Sequence, residues 1–310
     1  MRNRFESFEA EYDKEKNYKT ILEYGENIEA PDPKDFKGIY PPGEIGKDLN
    51  YLRLTKKRIE EDNSQLDTIE KGIQEDNRKR SECLEIILTD QVYDGDWFGG
   101  EAMTSKTSEY DDIRNGVDMV VEFDKEETER MALAIDASTA SNIRVIEDKI
   151  KNNLEKLRNK EHLQEVKYFK SQIRDDKGEY YQGGLTDLVP VVVGADKDNV
   201  DNLFEVFAEL KSLEKNPNKS AKERRMELRR NLSENPIQGV FLGEIKTQLE
   251  TYKKVMGSED EKISEKCDSL LEIINEVTKE KTEEGVYSEE ETPNDQTFNN
   301  IKEVCRELEL

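Results

Sequence analysis

Two stretches decide how this chain is read: Gly116-Val-Asp-Met-Val-Val-Glu-Phe123 and Met131-Ala-Leu-Ala-Ile-Asp-Ala-Ser138. Both are rich in strand formers, and the charged segment 124–130 lies between them, so they predict an antiparallel hairpin. A turn centred on Glu127 sets Met119 opposite Ile135, Val121 opposite Leu133 and Phe123 opposite Met131 on one large apolar face. The other face carries small residues, with Val120 opposite Ala134, and two acids, with Asp118 opposite Asp136. Directly opposed Cβ atoms in such a pair lie about 4.5–5.5 Å apart. Two carboxylates that close destabilise the pair unless a shared proton or a divalent cation offsets them. Oxygen-only ligands favour magnesium, manganese or calcium over zinc. A shifted turn, or a strand edge in water, would instead leave both acids solvated.

Outward from the hairpin, Leu66, Ile69, Ile73, Leu84, Ile87 and Leu88 recur at helical spacing over 51–91, predicting one long amphipathic helix or two shorter ones. Residues 101–106 form a short strand candidate. Asp111 and Asp112 read as a turn or as outer carboxylates of a site. Ser141 can cap a helix carrying Ile143, Ile146, Ile150, Leu154 and Leu157 on one face. Residues 166–169 and 188–194 read as further strands, 199–213 as a helix, and the remainder as helical to about 281, before an acidic tail with Glu289-Glu-Glu291 and a short last helix. The expected divisions are a polar, partly ordered extension over 1–50, where four prolines interrupt helices after about residue 29, an α/β domain over 51–214, a helical region over 215–283, and a tail over 284–310.

The composition narrows the function classes. At 310 residues the chain can bury a real core, although 39% of it is charged and only 34% hydrophobic. A formal charge of −24 argues against a general nucleic-acid coating protein, so contact with nucleic acid needs a local basic patch. The run 211–230 is the exception to the acidity, with Lys215, Lys219, Lys222, Arg224, Arg225, Arg229 and Arg230. It reads either as a phosphate contact or as a solvated helix face neutralising acidic neighbours. The polar start and the lack of a long apolar run predict a soluble, cytoplasmic protein without a membrane segment. Cys83, Cys267 and Cys305 are odd in number and widely spaced, which argues against a disulfide framework or a thiolate zinc site. His162, the only histidine, reads as a surface helix end. Val191-Val-Val-Gly-Ala-Asp196 before a helix invites a nucleotide-site reading but lacks both glycine-rich fingerprints. Trp97 and Phe98 read as a packed plug over the first helix rather than a base-stacking platform.

The order helix, strand, strand, strand, helix, strand over about 66–170 resembles the core of the PD-(D/E)XK nucleases, a restriction-endonuclease-like α/β fold with a mixed central sheet. In that family an acid opens the second strand, an acid-x-lysine ends the third, and a glutamate often comes from the first helix. Asp118, within Asn115-Gly-Val-Asp, matches the first acid, and Asp136, within Ile135-Asp-Ala-Ser138, matches the second. Ser138 stands where the family has its lysine. Some members carry that lysine on the following helix, which makes Lys149, beside Ile146 and Ile150, the first substitute and Lys167 the second. Glu85 is the helix glutamate, with Glu82 in reserve. The resemblance implies metal-dependent hydrolysis of nucleic-acid phosphodiesters, with magnesium, or manganese, held by Asp118, Asp136 and Glu85. The competing reading is a catalytically inactive nuclease-like or scaffold protein whose charged helices at 51–80 and 237–281 pair with protein partners.

Overall fold

The computed structural model describes residues 2–124, 131–139, 142–158, 164–174, 177–214, 218–257, 260–287 and 292–310, excepting the side chains of 2–10 and of Asp187. Glu127, Ser141, His162, Lys215 and the acidic run at 289–291 lie outside the described residues. The chain is α/β, with a five-stranded mixed sheet in the order β1-β2-β3-β5-β4. The strands are β1 (Ala102–Lys106), β2 (Met119–Phe123), β3 (Met131–Ser138), β4 (Gln164–Arg174) and β5 (Tyr180–Gly194).

The hairpin register is the expected one: Met119 faces Ile135, Val120 faces Ala134, Val121 faces Leu133 and Phe123 faces Met131. Both faces, however, are buried. Met119, Val121, Leu133 and Ile135 enter the main core, which they share with Leu84, Ile87 and Leu88 of a helix spanning Thr68–Asp94. Val120, Ala132 and Ala134 form a second, smaller core with Val166, Phe169 and Leu188, because β4 and β5 curl over that side. Ser105 Oγ of β1 donates to the carbonyl of Lys170 at 3.0 Å, and Ser171 Oγ donates to buried Glu122 at 2.7 Å, so β4 crosses back toward the opposite edge. Small side chains on β3 are what let another strand pass so close.

β5 lies parallel to β3, pairing Leu133 with Val189 through Ser138 with Gly194. The helix Ile143–Arg158 and β4 make up the crossover between them. A Cβ on Gly194 would meet the Ser138 carbonyl oxygen at 2.0 Å, so only glycine permits this approach. β4 pairs with the first part of β5 and then leaves its edge open. A helix spanning Ile237–Met256 covers that edge: Gln248 accepts from Val192 N–H at 2.9 Å and donates to Val192 O at 2.7 Å, and Glu244 accepts from Gly194 N–H at 2.8 Å. Side chains here replace the hydrogen bonds of a missing strand.

The helices are α1 (Arg2–Gly25), α2 (Pro42–Gln65), α3 (Thr68–Asp94), α4 (Glu109–Asn115), α5 (Ile143–Arg158), α6 (Lys197–Glu214), α7 (Lys219–Ser233), α8 (Ile237–Met256), α9 (Glu261–Glu283) and α10 (Gln296–Leu308), with a 3-10 turn at Pro33–Phe36. Residues 1–50, expected as a polar extension, contribute α1, whose Tyr18 and Ile21 are buried in the main core. The helical stretch 51–91 is two helices, divided by an Asp67 and Glu70 capping box. Phe241, Ile245 and Leu249 of α8, together with Leu270 and Ile274 of α9, belong to the same core as the sheet, so the apolar faces of 237–281 are consumed within the chain. Trp97 and Phe98 are buried in the main core: Trp97 donates its backbone N–H to Gln91 O of α3 at 3.2 Å, lies against Phe241 and donates from Nε1 to Leu232 O at 2.9 Å. The three cysteines are free and buried. Among the described residues no helix is long and apolar enough to cross a membrane.

Candidate active site

Asp118 is delivered by α4 and the turn after it. Ser108 caps α4, accepting from Asp111 N–H at 3.1 Å. Gly116 ends the helix at φ 66°, a left-handed conformation suited to glycine, and the chain turns directly into β2. The backbone of Asp118 is tied on both sides, its carbonyl accepting from Thr107 N–H at 3.1 Å and its N–H donating to Ile135 O at 2.9 Å. Its carboxylate then accepts from Ala137 N–H at 2.7 Å, which sets it against the end of β3 next to Asp136.

The adjacent acids of α4 have separate duties. Buried Asp111 accepts from the backbone N–H groups of Lys167 and Tyr168 at 2.7 and 3.0 Å, pinning α4 to β4. Asp112 lies close enough to Asp118 that its charge helps to raise that carboxyl. Enclosure of its carboxyl group pushes the Asp118 pKa well above the ordinary carboxylate range, and the charges of Asp136, Glu85 and Asp112 push it further, against the pull of the Ala137 N–H.

Two lysines complete the cluster. Lys149 Nζ of α5 stands 2.6 Å from Asp136 Oδ1. The buried stripe Ile146, Ile150 and Leu154 orients α5 so that position 149 reaches the end of β3. Lys106, the last residue of β1, stands 2.9 Å from Glu85 of α3. Burial pushes the Glu85 carboxyl up, Lys106 opposes that, and Asp112 and Glu82 add to it. Burial alone would lower the Lys106 ammonium, but Glu85, Glu82 and Asp112 raise it overall.

Lys167, the second lysine considered, does not reach this site. Its ammonium is 2.6 Å from both Glu44 and Asp48 of α2 and lies among the rings of Tyr40, Tyr110 and Tyr168, where it clamps α2 to β4. Glu82 pairs with Arg78 at 3.0 Å on the outer surface of α3. Lys106 escaped the reading of the sequence because nothing local distinguishes it: its importance depends on α3 crossing the end of β1. Lys156 was also missed. It donates to Asn115 O at 2.8 Å and Gln164 Oε1 at 2.7 Å, and burial lowers its pKa while Asp136 raises it.

The arginines of α7 are held by the chain's own oxygens. Arg224 forms a two-pronged pair with Glu209 at 2.7 Å, Arg225 donates to Leu213 O at 2.9 Å, Arg229 pairs with Glu214 at 3.2 Å, and Arg230 with Glu234 at 2.9 Å. The helix start after Val191-Val-Val-Gly-Ala-Asp196 is filled from within. Asp196 accepts from Asn199 and Gln296 N–H groups, while Asp295 accepts from those of Asp196 and Phe298, so the N-termini of α6 and α10 cap each other.

Among the described residues no three carboxylate, imidazole or thiolate groups stand together as a ready metal cage. Asp118 and Asp136 are the residues that could hold a metal here, since magnesium takes one or two carboxylates with the remaining positions left to water and substrate oxygen. Compared with protein families, curated proteins and solved structures, the chain shows no match.

Proposed function

We propose that the chain is a metal-dependent phosphodiester hydrolase acting on nucleic acid, built on a PD-(D/E)XK-like core in which Lys149 takes the place vacated at Ser138. The observation that carries this reading is the Lys149 ammonium 2.6 Å from Asp136, on a strand end that also receives the Asp118 carboxylate. Asp118 and Asp136 would hold magnesium or manganese, with Glu85 at the edge of the set. An ion bound there supplies positive charge for the scissile phosphate and lowers the pKa of bound water.

The chain's own residues supply the rest. Lys149 keeps a cation beside Asp136 and can orient an attacking water toward a phosphate lying over the two aspartates. Lys106 neutralises Glu85, so the carboxylates at this end of the sheet are not all left to repel an anionic substrate. Asp118 is oriented by the Ala137 N–H, a backbone contact that survives whatever the carboxyl group's charge.

The test is cleavage of plasmid, linear and single-stranded DNA and of RNA with magnesium or manganese. Wild type is compared with Asp118→Asn, Asp136→Asn and Lys149→Met. Activity in wild type and its loss in the variants supports the proposal; equal activity in all four proteins refutes it.

A second reading, a protein-binding scaffold, is favoured by one observation. Leu54 and Ile59 of α2 and Ile69 and Ile73 of α3 are exposed, by 46% to 73%. Metal-independent self-association or partner capture that is lost on Ile59→Glu with Ile73→Glu, without any cleavage, would favour it.

A further inference from the structure

We infer that the cleft beside the carboxylate cluster receives single-stranded nucleic acid, and that Lys106 joins this cleft to the cluster. The inference rests on the hydrolase reading for its connection to chemistry, but it makes a separate claim about binding. The cleft has a volume of about 530 Å³, and its lining includes Ser105, Lys106, Lys170, Gln172 and Gln182 together with two acids, Glu29 and Asp35. Lys106 is therefore at two places at once: it lines the cleft, and its ammonium is 2.9 Å from Glu85 at the site.

The wall formed by β4 and β5 extends this line of polar groups. Lys170, Gln172 and Arg174 are exposed at alternate positions of β4, on the side away from the small core. Lys170 is paired with Gln182, and Arg174 with Tyr180. The Arg174 guanidinium lies 4.9 Å from the centre of the Tyr180 ring, which is itself 46% exposed. One surface thus presents cations for phosphates, amides for base edges, and a tyrosine and arginine that can stack on a base. That combination is what single-strand binding uses.

Size favours this occupant, and the two lysines of the lining balance its two acids. Glu29 is loosely engaged: it is 90% exposed and stands 3.7 Å from Lys170, an arrangement that solvent screens and a phosphate can replace. A cleft of small-ligand size admits a short run of flexible single strand, whereas the stacked cylinder of a duplex is too broad to enter it.

The experiment is fluorescence anisotropy of labelled single-stranded DNA, single-stranded RNA and the matching DNA duplex. It uses the full chain with calcium replacing magnesium, over a series of salt concentrations. Expected is at least about tenfold tighter binding of one or both single strands than of duplex, with a salt slope reduced in the double variant Lys106→Gln, Lys170→Gln. Tyr180→Ala, a substitution at an exposed position, should weaken single-strand binding about three- to tenfold. Melting curves verify that the variants are folded. Duplex binding as tight as single-strand binding, no binding of any strand, or single-strand binding unchanged in both variants would overturn the inference. Failure of the hydrolase reading looks different: strands are bound through the cleft and none is cut with magnesium or manganese. Cleavage that needs Asp118 and Asp136 but prefers duplex and ignores Lys106, Lys170 and Tyr180 would refute the cleft alone.

Discussion

Replacing Asp118 with asparagine should make the metal-free protein more stable at neutral pH. Asparagine keeps a side-chain oxygen for the Ala137 N–H and removes a charge that Asp136, Glu85 and Asp112 all oppose. The charge it removes faces Asp136 across the hairpin. At the roughly 5 Å spacing of opposed positions and an effective dielectric near 20, that repulsion is about 3 kcal/mol. Proton uptake already relieves part of it, so the expected gain for Asp118→Asn at pH 7 is about 1–3 kcal/mol. The pH dependence has a definite sign. Enclosure and neighbouring acids raise the Asp118 pKa, so above the ordinary carboxylate range the folded chain binds more protons than the unfolded one. Stability must then fall as pH rises toward the raised folded value, and the variant should lose part of that fall. Metal should act oppositely: about 2.7 kcal/mol of stabilisation for wild type at a hundred times its Kd, and little for the variant. Urea denaturation from pH 5 to 8 with EDTA, repeated with magnesium, measures both effects. A variant less stable than wild type without metal, with an unchanged pH profile, would refute the electrostatic account of this site.

Other positions give independent checks. Lys149→Met should abolish cleavage while leaving the melting temperature within a few degrees of wild type, because the lysine is part-exposed; a fully active variant would remove it from the proposed mechanism. Lys211→Met strands Asp90, which also receives the Tyr24 hydroxyl and the Gln91 amide, in a buried pocket, and should cost about 3–5 kcal/mol by chemical denaturation. Gly194→Ala drives a Cβ into the Ser138 carbonyl and should destabilise by about 2–4 kcal/mol, with loss of any cleavage as β3 is displaced. Burial holds the Glu244 carboxyl well above its ordinary range, against the Gly194 N–H. Glu244→Gln should therefore stay within about 1 kcal/mol of wild type at pH 6 and lack wild type's loss of stability at higher pH, as melting across pH 6–9 would show.

Some of this protein is written in its sequence. The hairpin register was legible because alternation assigns each residue of 119–123 and 131–135 to a face, and a slip by one would turn an apolar row to the wrong side. Asp118 and Asp136 follow from that register, and the α5 stripe carries Lys149 with it, since a helix of known face also fixes what lies on its flank. Local pattern is silent on contacts made across the chain. Nothing near Lys106 announces Glu85, and nothing in the Asp111-Asp112 pair says that one acid anchors β4 while the charge of the other acts on Asp118. Only the tertiary structure decided that β5 would lie beside β3, that α8 side chains would cover its open edge, and that Lys167 would be drawn to α2. Each of these depends on which buried donors, acceptors and charges find partners once the elements pack. That satisfaction is a property of the whole fold, whereas strand alternation and helical spacing are properties of a few consecutive residues.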